Sequence, residues 1–317
     1  MAKTKEIQRR IKSVNNTKKI TKAMEMVAAA KMRKSVEAVL KTRTYANLAW
    51  TTILNISGSL EDGKNLHPLL HVRPETKRVA IILISSNRGL CGSFNTNIIN
   101  KAVAGIKKHG DIETDFILLG KKGLAVNSRY GYNIVAEFDK VDFVSEIKEV
   151  MPIARLAMDD YLNGKYDKIF VAYTDFVSAT KQIPRVKQIL PIDINVDEEY
   201  LGVVGRDERV GTTKEYIAEK EAKYLRDSEY NYLFTYEPSP QAVLDQMVPR
   251  LVEVQLFQAL LESNASEHSI RMASMHQATE AASDIVKELV LFYNKARQAV
   301  ITSEIAEISA GANALKA

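Results

Sequence analysis

The sequence of 317 residues predicts an α/β protein with a long antiparallel coiled coil of the N- and C-terminal helices plus a central Rossmann-like α/β domain. Two observations predict the helices: neither Met1–Ser57 nor Arg250–Ala310 contains Gly or Pro, and both stretches are rich in strong helix formers. A third observation predicts the domain, because apolar runs of strand length alternate with helical patterns in between. At 1.5 Å per residue each terminal helix would be roughly 80–100 Å long, too long to lie within one compact domain.

The N-terminal helix carries apolar residues at spacings of three and four, which is typical of a helix packed against another helix. Small side chains at Ala28, Ala29 and Ala30 would let the two helices approach closely, with Met26 and Met32 filling gaps. The stripe predicted to face the partner helix consists of Ile7, Ile11, Val14, Ile20, Met24 and Val27.

The middle of the chain predicts a mostly parallel sheet covered by helices. The nearly all-apolar, β-branched run Arg78–Ile84 predicts a buried strand. Four further strands are predicted, the last two of them as an antiparallel hairpin, together with three helices, the last containing Pro152. The strands are expected at 115–119, 133–138, 168–176 and 180–190, and the helices at 95–109, 121–130 and 143–163.

The C-terminal helix is predicted to begin with Ser239 as its N-cap and Pro240 at its first position. Pro249 predicts a kink or a short break in this helix. Beyond it the apolar stripe continues at heptad spacing through Ile285, Leu289, Phe292 and Ala296, and then through Ile301, Ile305, Ile308, Ala312 and Leu315.

These patterns divide the chain into an N-terminal helix at 1–57, a central α/β domain at 76–192, a charged insertion at 197–229 and a C-terminal helix at 239–317. The insertion holds ten acidic and six basic residues, which predicts a solvated surface segment. No run of about 18 apolar residues occurs, so no membrane span is predicted. The N-terminus lacks the apolar core of a signal peptide, and the single cysteine fits a reducing compartment.

The charge of the chain is unevenly distributed. Residues 1–43 hold thirteen Lys or Arg and three acidic residues, a net charge of +10, whereas residues 239–317 carry a net charge of −3 from six basic and nine acidic residues. The basic segment predicts either an acidic partner, with nucleic acid as the first candidate, or simply a solvated helix face.

The segment Ser85–Ser93 lies between a predicted strand and a predicted helix, where α/β folds bind phosphates. It matches neither phosphate-binding glycine motif, and the favoured interpretation is a tight turn that needs both of its glycines. Cys91 forms no recognisable motif with any of the five histidines, and the spacing of His268 and His276 does not fit a metal pair. No catalytic residue, cofactor site or metal site is therefore predicted.

A set of segments spread along the chain carries a resemblance to a known family. They are Ile20-Thr-Lys-Ala-Met-Glu-Met-Val-Ala-Ala-Ala-Lys-Met-Arg33, Ser85-Ser-Asn-Arg-Gly-Leu-Cys-Gly-Ser93, Tyr236-Glu-Pro238, Asn264-Ala-Ser-Glu267, Arg271-Met272, Tyr293-Asn-Lys-Ala-Arg-Gln298 and Ile301-Thr-Ser-Glu-Ile-Ala-Glu-Ile-Ser-Ala-Gly-Ala312. In this order they closely resemble the γ subunit of F-type ATP synthase, of the bacterial type. The resemblance covers essentially the whole chain except 197–229.

The resemblance implies a non-catalytic rotor shaft of a proton-translocating ATP synthase, present in one copy per complex. In that family the coiled coil stands inside a ring of α and β subunits, the α/β domain binds the ε subunit and the membrane c ring, and proton flow drives rotation that changes the β nucleotide sites in turn. It further implies a peripheral location at the cytoplasmic face of the bacterial inner membrane. An acidic loop of the β subunits then takes the place of nucleic acid as partner of the basic helix.

Site residues carry over only where the motifs match. Met24 and its basic neighbours would meet the β subunits. Arg271, Gln298 and Thr302 match polar positions that contact β loops. The tip residues Ile301, Ile305 and Ile308 match apolar positions in a hydrophobic sleeve, while Tyr236 and Glu237 match the foot near the ε subunit and the c ring. The charged insertion lies where photosynthetic members carry a regulatory insertion, but it contains no cysteine.

Two alternatives from other classes remain at this point. One is a Rossmann-like enzyme with coiled-coil arms, which would retain a nucleotide. The other is a coiled-coil scaffold that binds nucleic acid through its basic N-terminus, with a steep dependence on salt.

Overall fold

The computed structural model describes residues 2–59, 67–73, 75–108, 112–141, 146–192, 236–237 and 239–314. The described chain begins with one long helix, α1 (Ala2–Ser59), and ends with another, α5 (Pro240–Ala314), and between them in the sequence lies a five-stranded sheet with its own shorter helices. The strands are β1 (Arg78–Ile84), β2 (Glu113–Leu119), β3 (Asn133–Phe138), β4 (Lys168–Phe176) and β5 (Gln182–Leu190), and the shorter helices are α2 (Phe94–Lys108), α3 (Ala125–Tyr130) and α4 (Met151–Leu162). The predicted insertion 197–229 lies outside the described residues.

The long terminal helices confirm the prediction from composition. Ser239 caps α5 as predicted, since its Oγ accepts a hydrogen bond from the Ala242 amide at 3.2 Å. Pro240, whose missing amide hydrogen would be unpaired anyway, starts the helix. Of the kink or short break predicted at Pro249, the break is absent, since the helix continues through that residue, and the kink stays a prediction.

The sheet has the order β3-β2-β1-β4-β5, with β1, β2, β3 and β4 parallel and β5 antiparallel to β4. The predicted hairpin of the last two strands is therefore confirmed. The chain turns one way from β1 through β2 to β3 and the other way to β4, so the sheet has a topological switch point between β1 and β4. In open α/β sheets, ligands bind beside such a point, at the carboxyl ends of the strands.

Both faces of the central part of the sheet are covered, which explains the apolar character of β1 and β2. On one face, Ile81 and Leu83 of β1 pack with α2 and α3. On the other face, Ile82 and Ile84 pack with α4 and with the parts of α1 and α5 that adjoin the domain. α5 is almost entirely buried from Leu251 to Ser269, although this stretch contains many polar residues.

The chain separates into two compact units, one formed by residues 1–29 and 271–317 and the other by residues 30–270. In the first unit α1 and α5 run antiparallel. Lys18 meets Ser283, Thr21 meets Thr279 and Glu25 meets His276, so the numbers of paired residues add up to 300 or 301.

The stripe facing the partner helix differs from the prediction. Ile20 and Val27 are 60% and 56% exposed, and Ile285 and Phe292 are also exposed. The observed α1 seam keeps a strict spacing of four and three and accepts polar residues, whereas the prediction followed apolar side chains off this line. The less exposed α1 positions on this line are Ile7, Ile11, Val14, Lys18, Thr21, Glu25 and Ala28, and the predicted stripe member Met24 is half-buried beside it.

Two helix predictions in the domain need smaller corrections. Residues 121–130 form a 3-10 turn at Lys121–Leu124 followed by α3, instead of one helix. The helix predicted at 143–163 begins as α-helix only at Met151, after a 3-10 turn at Ile147–Glu149, while residues 143–145 lie outside the described part. Pro152 therefore occupies the first turn of α4, where a missing amide hydrogen breaks no helical hydrogen bond.

Candidate functional site

The candidate functional regions of this chain are three surfaces built from its helices and loops. They are the seam between α1 and α5 in the first unit, the C-terminal end of α5, and the carboxyl edge of the sheet. Among the described residues, no cluster of three or more His, Cys, Asp or Glu has the proximity needed to hold a metal ion. None of the described helices combines the length and the hydrophobicity that crossing a membrane requires.

The seam contains a cluster of polar contacts between the two helices. The Nζ of Lys18 donates to Ser283 Oγ at 3.0 Å, and the hydroxyl oxygens of Thr21 and Thr279 lie 2.8 Å apart. Coiled coils usually place apolar residues at such positions, and polar residues there set register at a cost in stability. We call the residues Lys18, Thr21, Glu25, His276, Thr279 and Ser283 the seam cluster.

Glu25 connects charges from both helices. Its carboxylate accepts hydrogen bonds from Lys22 Nζ at 2.9 and 3.1 Å and lies 3.3 Å from His276 Nδ1. The hydrogen bond from Lys22 lowers the pKa of this carboxyl, partial burial opposes it, and the charges of Lys22 and His276 lower the pKa further. Glu25 thus remains ionised at neutral pH.

An open groove of about 660 Å³ runs beside the seam cluster. Three lysines, Lys18, Lys19 and Lys22, line one side of it, together with Met26, while Glu280 is the acidic side chain on its opposite side. This surface would attract an acidic partner, although exposed charges contribute modestly to binding and are screened by salt.

The C-terminal end of α5 is exposed on every side. Given the register of the helix pair, Ala2 lies level with about residue 299, so α5 continues beyond the start of α1. Each residue from Ile301 to Gly311 is exposed, with Ile305 and Ile308 at 61% and 71%. The prediction that Ile301, Ile305 and Ile308 belong to a seam within the chain is wrong, because α1 does not reach them.

At the carboxyl edge of the sheet the segment Ser85–Ser93 forms a compact turn after β1. Gly92 has a φ of 52°, but the other left-handed residue is Leu90 with a φ of 65°, not Gly89. The prediction that both glycines serve the backbone geometry is therefore correct for Gly92 alone. Cys91 is buried, and its Sγ lies 3.3 Å from Asn95 Nδ2 and 3.6 Å from Ser86 Oγ.

The crevice at this edge is covered by α5. Ser266 Oγ donates to the Thr174 carbonyl at the end of β4 (3.1 Å), and Asn264 Nδ2 donates to the Val141 carbonyl after β3 (3.4 Å). Glu267 forms a buried ion pair with Lys140 at 2.6 Å. Residues of the chain itself thus cover the edge at which an enzyme of this architecture would bind its ligand.

The sequence matches the model of the protein family described as ATP synthase over residues 3–315. It is 39% identical to the ATP synthase gamma chain of Herpetosiphon aurantiacus, with 99% of each chain covered. It is 36% identical to the ATP synthase gamma chain of Legionella pneumophila, covering 99% of this chain and 100% of that one. The chain belongs to the ATP synthase gamma chain family. As a member of that family it is the central rotor shaft of an ATP synthase.

Solved structures agree on the fold. A chain of the OSCP, F1 and c-ring assembly of the Euglena gracilis mitochondrial ATP synthase superposes with a TM-score of 0.62 at 16% identity, covering 99% of this chain and 95% of that chain. A chain of the central stalk and c-ring of the Tetrahymena thermophila mitochondrial ATP synthase gives 0.56 at 21% identity, with 82% of this chain and 99% of that chain covered.

The residues predicted as contact sites from the gamma-chain resemblance lie in separate places. Met24 is half-buried on α1 next to the seam cluster, and Arg271 is half-buried on α5. Gln298 and Thr302 are exposed one turn apart, with Thr302 Oγ1 donating to the Gln298 carbonyl at 2.9 Å. Since about 22 residues separate His276, which is level with Met24, from Gln298, these sites are roughly 33 Å apart along α5.

The predicted foot residues, Tyr236 and Glu237, are neighbours that differ in exposure. Tyr236 is half-buried against the core of the domain, and Glu237 beside it is exposed.

Sequence reasoning missed the seam cluster, although extending the spacing of Ile7, Ile11 and Val14 by fours and threes reaches its α1 members. It also missed the contacts of α5 at the sheet edge, for which no local sequence signal exists.

Proposed function

We propose that this rotor shaft transmits rotation from a membrane c ring to the nucleotide sites of a hexamer of α and β subunits, in one copy per complex and with no catalytic site of its own. The observation that carries the proposal is the exposed end of α5, which continues beyond α1 and presents apolar side chains on its surface. Such a surface suits a smooth bearing, since apolar contact is non-directional and creates no deep wells during rotation.

The contacts with the β subunits are assigned to four residues. Met24 and the lysine-lined groove beside the seam cluster meet an acidic surface of β, which accounts for the basic N-terminus without nucleic acid. Arg271 contacts β on the other helix, while Gln298 and Thr302 contact it near the tip. Ile301, Ile305 and Ile308 run in the apolar sleeve at the top of the ring.

Tyr236 and Glu237 form the foot that binds the ε subunit and the c ring. Glu237 is exposed next to a tyrosine that packs on the domain core, so it lies on a firmly held surface. Two relatives named as gamma chains are bacterial, which supports a peripheral location at the cytoplasmic face of the inner membrane.

The absence of catalysis is proposed from the sheet edge. The polar residues of α5 there are engaged with the strand ends, and Ser85–Ser93 is folded onto its own side chains rather than open toward a ligand. ATP is accordingly expected to bind to the α and β subunits and not to this chain.

Purification of the tagged chain from native membranes tests the function. We expect the α, β, ε and c subunits to copurify, and membranes depleted of this chain to lose ATP-driven proton pumping while added chain restores it. Recovery of the chain with nucleic acid, or without α and β, would overturn the proposal. Stoichiometric binding of ATP by the isolated chain in calorimetry would overturn the non-catalytic assignment.

A further inference from the structure

A buried ion pair joins α5 to the loop that follows β3. The Nζ of Lys140 lies 2.6 Å from Glu267 Oε2, and the two side chains are only 2% and 6% exposed. Lys140 Nζ also lies 5.4 Å from the centre of the Phe94 ring, which is itself buried. Removing charges from water is unfavourable, so such a pair is a specific feature that an apolar pair of similar size could replace without loss of stability.

Lys140 is held in place by the other strand ends. Its backbone carbonyl accepts a hydrogen bond from Asn87 Nδ2 at 2.5 Å, after β1, and the same Asn87 accepts through Oδ1 from the Lys121 amide at 3.3 Å, after β2. Loops after β1, β2 and β3 therefore hold the backbone of Lys140, whose ammonium group contacts Glu267 of α5.

A second set of contacts reaches α5 from β4 and β5. Ser266 Oγ donates to the Thr174 carbonyl at 3.1 Å in β4, and Ser269 Oγ donates to the Ala179 carbonyl at 2.7 Å in the hairpin turn. Gln182 Nε2 of β5 in turn donates to Ser269 Oγ at 3.3 Å. These bonds attach the helix to the antiparallel hairpin.

The two sets lie on opposite faces of the helix. Successive residues of an α-helix are about 100° apart around the axis, so Asn264 and Glu267 point one way and Ser266 and Ser269 point about 160° away from them. The domain thus contacts α5 from both sides within six residues. Close apolar packing in the core already resists rotation of this part of α5, and the directional hydrogen bonds and the charge pair add contacts whose strength depends on the angle of the helix about its axis.

We propose that the Lys140–Glu267 pair, with the Ser266 and Ser269 bonds on the opposite face, is the attachment through which torque on the α/β domain passes into α5. Lys140 and Glu267 are positioning residues: they contact no nucleotide and act by fixing the rotational position of the shaft. This inference rests on the proposed function as a rotor, and it adds the place at which rotation of the domain becomes rotation of the helix.

The test compares variants in the assembled complex in inverted membrane vesicles. The double variant Lys140→Met with Glu267→Met removes the charges together and keeps the side-chain length, and Glu267→Gln keeps a hydrogen-bond acceptor for Lys140. Lys121→Met is the matched control, because Lys121 forms an exposed pair with Asp139 at 3.5 Å on the same edge of the sheet. The readouts are the amount of this chain in washed membranes, the rate of ATP hydrolysis, and the protons pumped per ATP.

We expect the double variant to assemble and hydrolyse ATP but to pump fewer protons per ATP, by roughly two-fold or more, the lower range for loss of a coupling contact. Glu267→Gln should give a smaller loss and Lys121→Met none. An unchanged ratio in the double variant would overturn the inference while leaving the rotor function intact. Loss of assembly in both Glu267 variants would overturn it too, since the pair would then serve folding. Failure of the proposed function would instead show as vesicles depleted of this chain that still pump protons normally.

Discussion

Thr21 of α1 and Thr279 of α5 face each other across the helix pair, with their hydroxyl oxygens 2.8 Å apart at a position where a coiled coil normally buries apolar side chains. Replacing Thr21 alone with Val leaves the Thr279 hydroxyl with the Met275 carbonyl of its own helix, 2.8 Å away, and we expect a loss of about 0.5–1 kcal/mol in the free energy of unfolding from the missing bond between helices. The double Val variant should recover most of that loss, because both polar groups are then gone.

Circular dichroism melts of the free chain measure this effect. Thr17→Val is the matched control, since Thr17 is exposed one turn away and its hydroxyl bonds only within the helix, to the Ser13 carbonyl at 3.2 Å. Losses that simply add in the double variant would contradict the pairing.

Lys187 of β5 predicts a dependence of stability on pH. Burial lowers its pKa to about 7, an effect that Glu262 opposes and Arg185 increases. An unfolded lysine has a pKa of about 10.4, so the folded chain binds this proton less readily than the unfolded chain. The contribution of Lys187 to the free energy of unfolding is therefore complete above about pH 10, where this lysine is neutral in both states. It is lost as pH falls toward 7, because the unfolded chain then holds the proton more tightly.

Chemical denaturation between pH 7 and 10 checks this expectation. Lys187→Met should flatten the rise in the free energy of unfolding across that range, whereas Lys181→Met, at an exposed position of the same hairpin, should leave it as in the wild type. Equal slopes in the wild type and in Lys187→Met would show that this lysine is not responsible.

Gly120 is required at the end of β2. Its φ is 104°, and a Cβ there would lie 2.4 Å from the Ser85 carbonyl oxygen, which is backbone and cannot easily move. We expect Gly120→Ala to lower the free energy of unfolding by roughly 3 kcal/mol or more, through strain and overpacking. In α2, a Cβ at Gly105 would have no neighbouring atom within 4 Å, so Gly105→Ala should instead raise the free energy of unfolding by about 0.5–1 kcal/mol. Similar urea midpoints for the two variants would contradict this reading.

Substitutions at the tip of α5 should affect the function of the complex without affecting the stability of the free chain. Changing Ile301, Ile305 and Ile308 together to Ser should alter the unfolding of the free chain by less than about 0.5 kcal/mol each, because these side chains are exposed. In the assembled complex we expect a lower rate of ATP hydrolysis, since the apolar bearing surface is lost. Substitution of the exposed polar residues Ser303 and Glu307 by Ala provides the control. A normal rate in the triple variant would argue against the sleeve.

Local pattern was sufficient for the elements of the sheet. The runs that became β1 and β4 were bounded correctly because strands buried on both faces are largely apolar, and such runs stand out from their polar neighbours. The bounds of β3 were also predicted correctly, although every second residue of that strand is exposed. Local chemistry also predicted the start of α5, since Ser239 and Pro240 act through their own backbone. The resemblance to the gamma chain family likewise depends on contiguous motifs, which are visible in the amino-acid sequence without knowledge of the fold.

The seam was harder, because apolar character and position disagree there. Ile20 and Val27 are apolar but exposed, while Thr21 and Glu25 are polar and face α5. A prediction that follows hydrophobicity chooses the wrong members wherever polar residues pair across two helices. The cost of placing them there is offset by partners that lie more than 250 residues away in the chain.

The sequence by itself determined the long helices, the order of strands and helices, and membership in the gamma chain family, since each depends on composition or on neighbouring residues. Only the tertiary structure decided that Lys140 meets Glu267, that α5 covers the carboxyl edge of the sheet, and that α5 extends beyond α1. Those features depend on the register and direction of segments that are distant in the sequence. The role of a buried charge or an exposed isoleucine depends on which residues lie against it, and only the tertiary structure shows them.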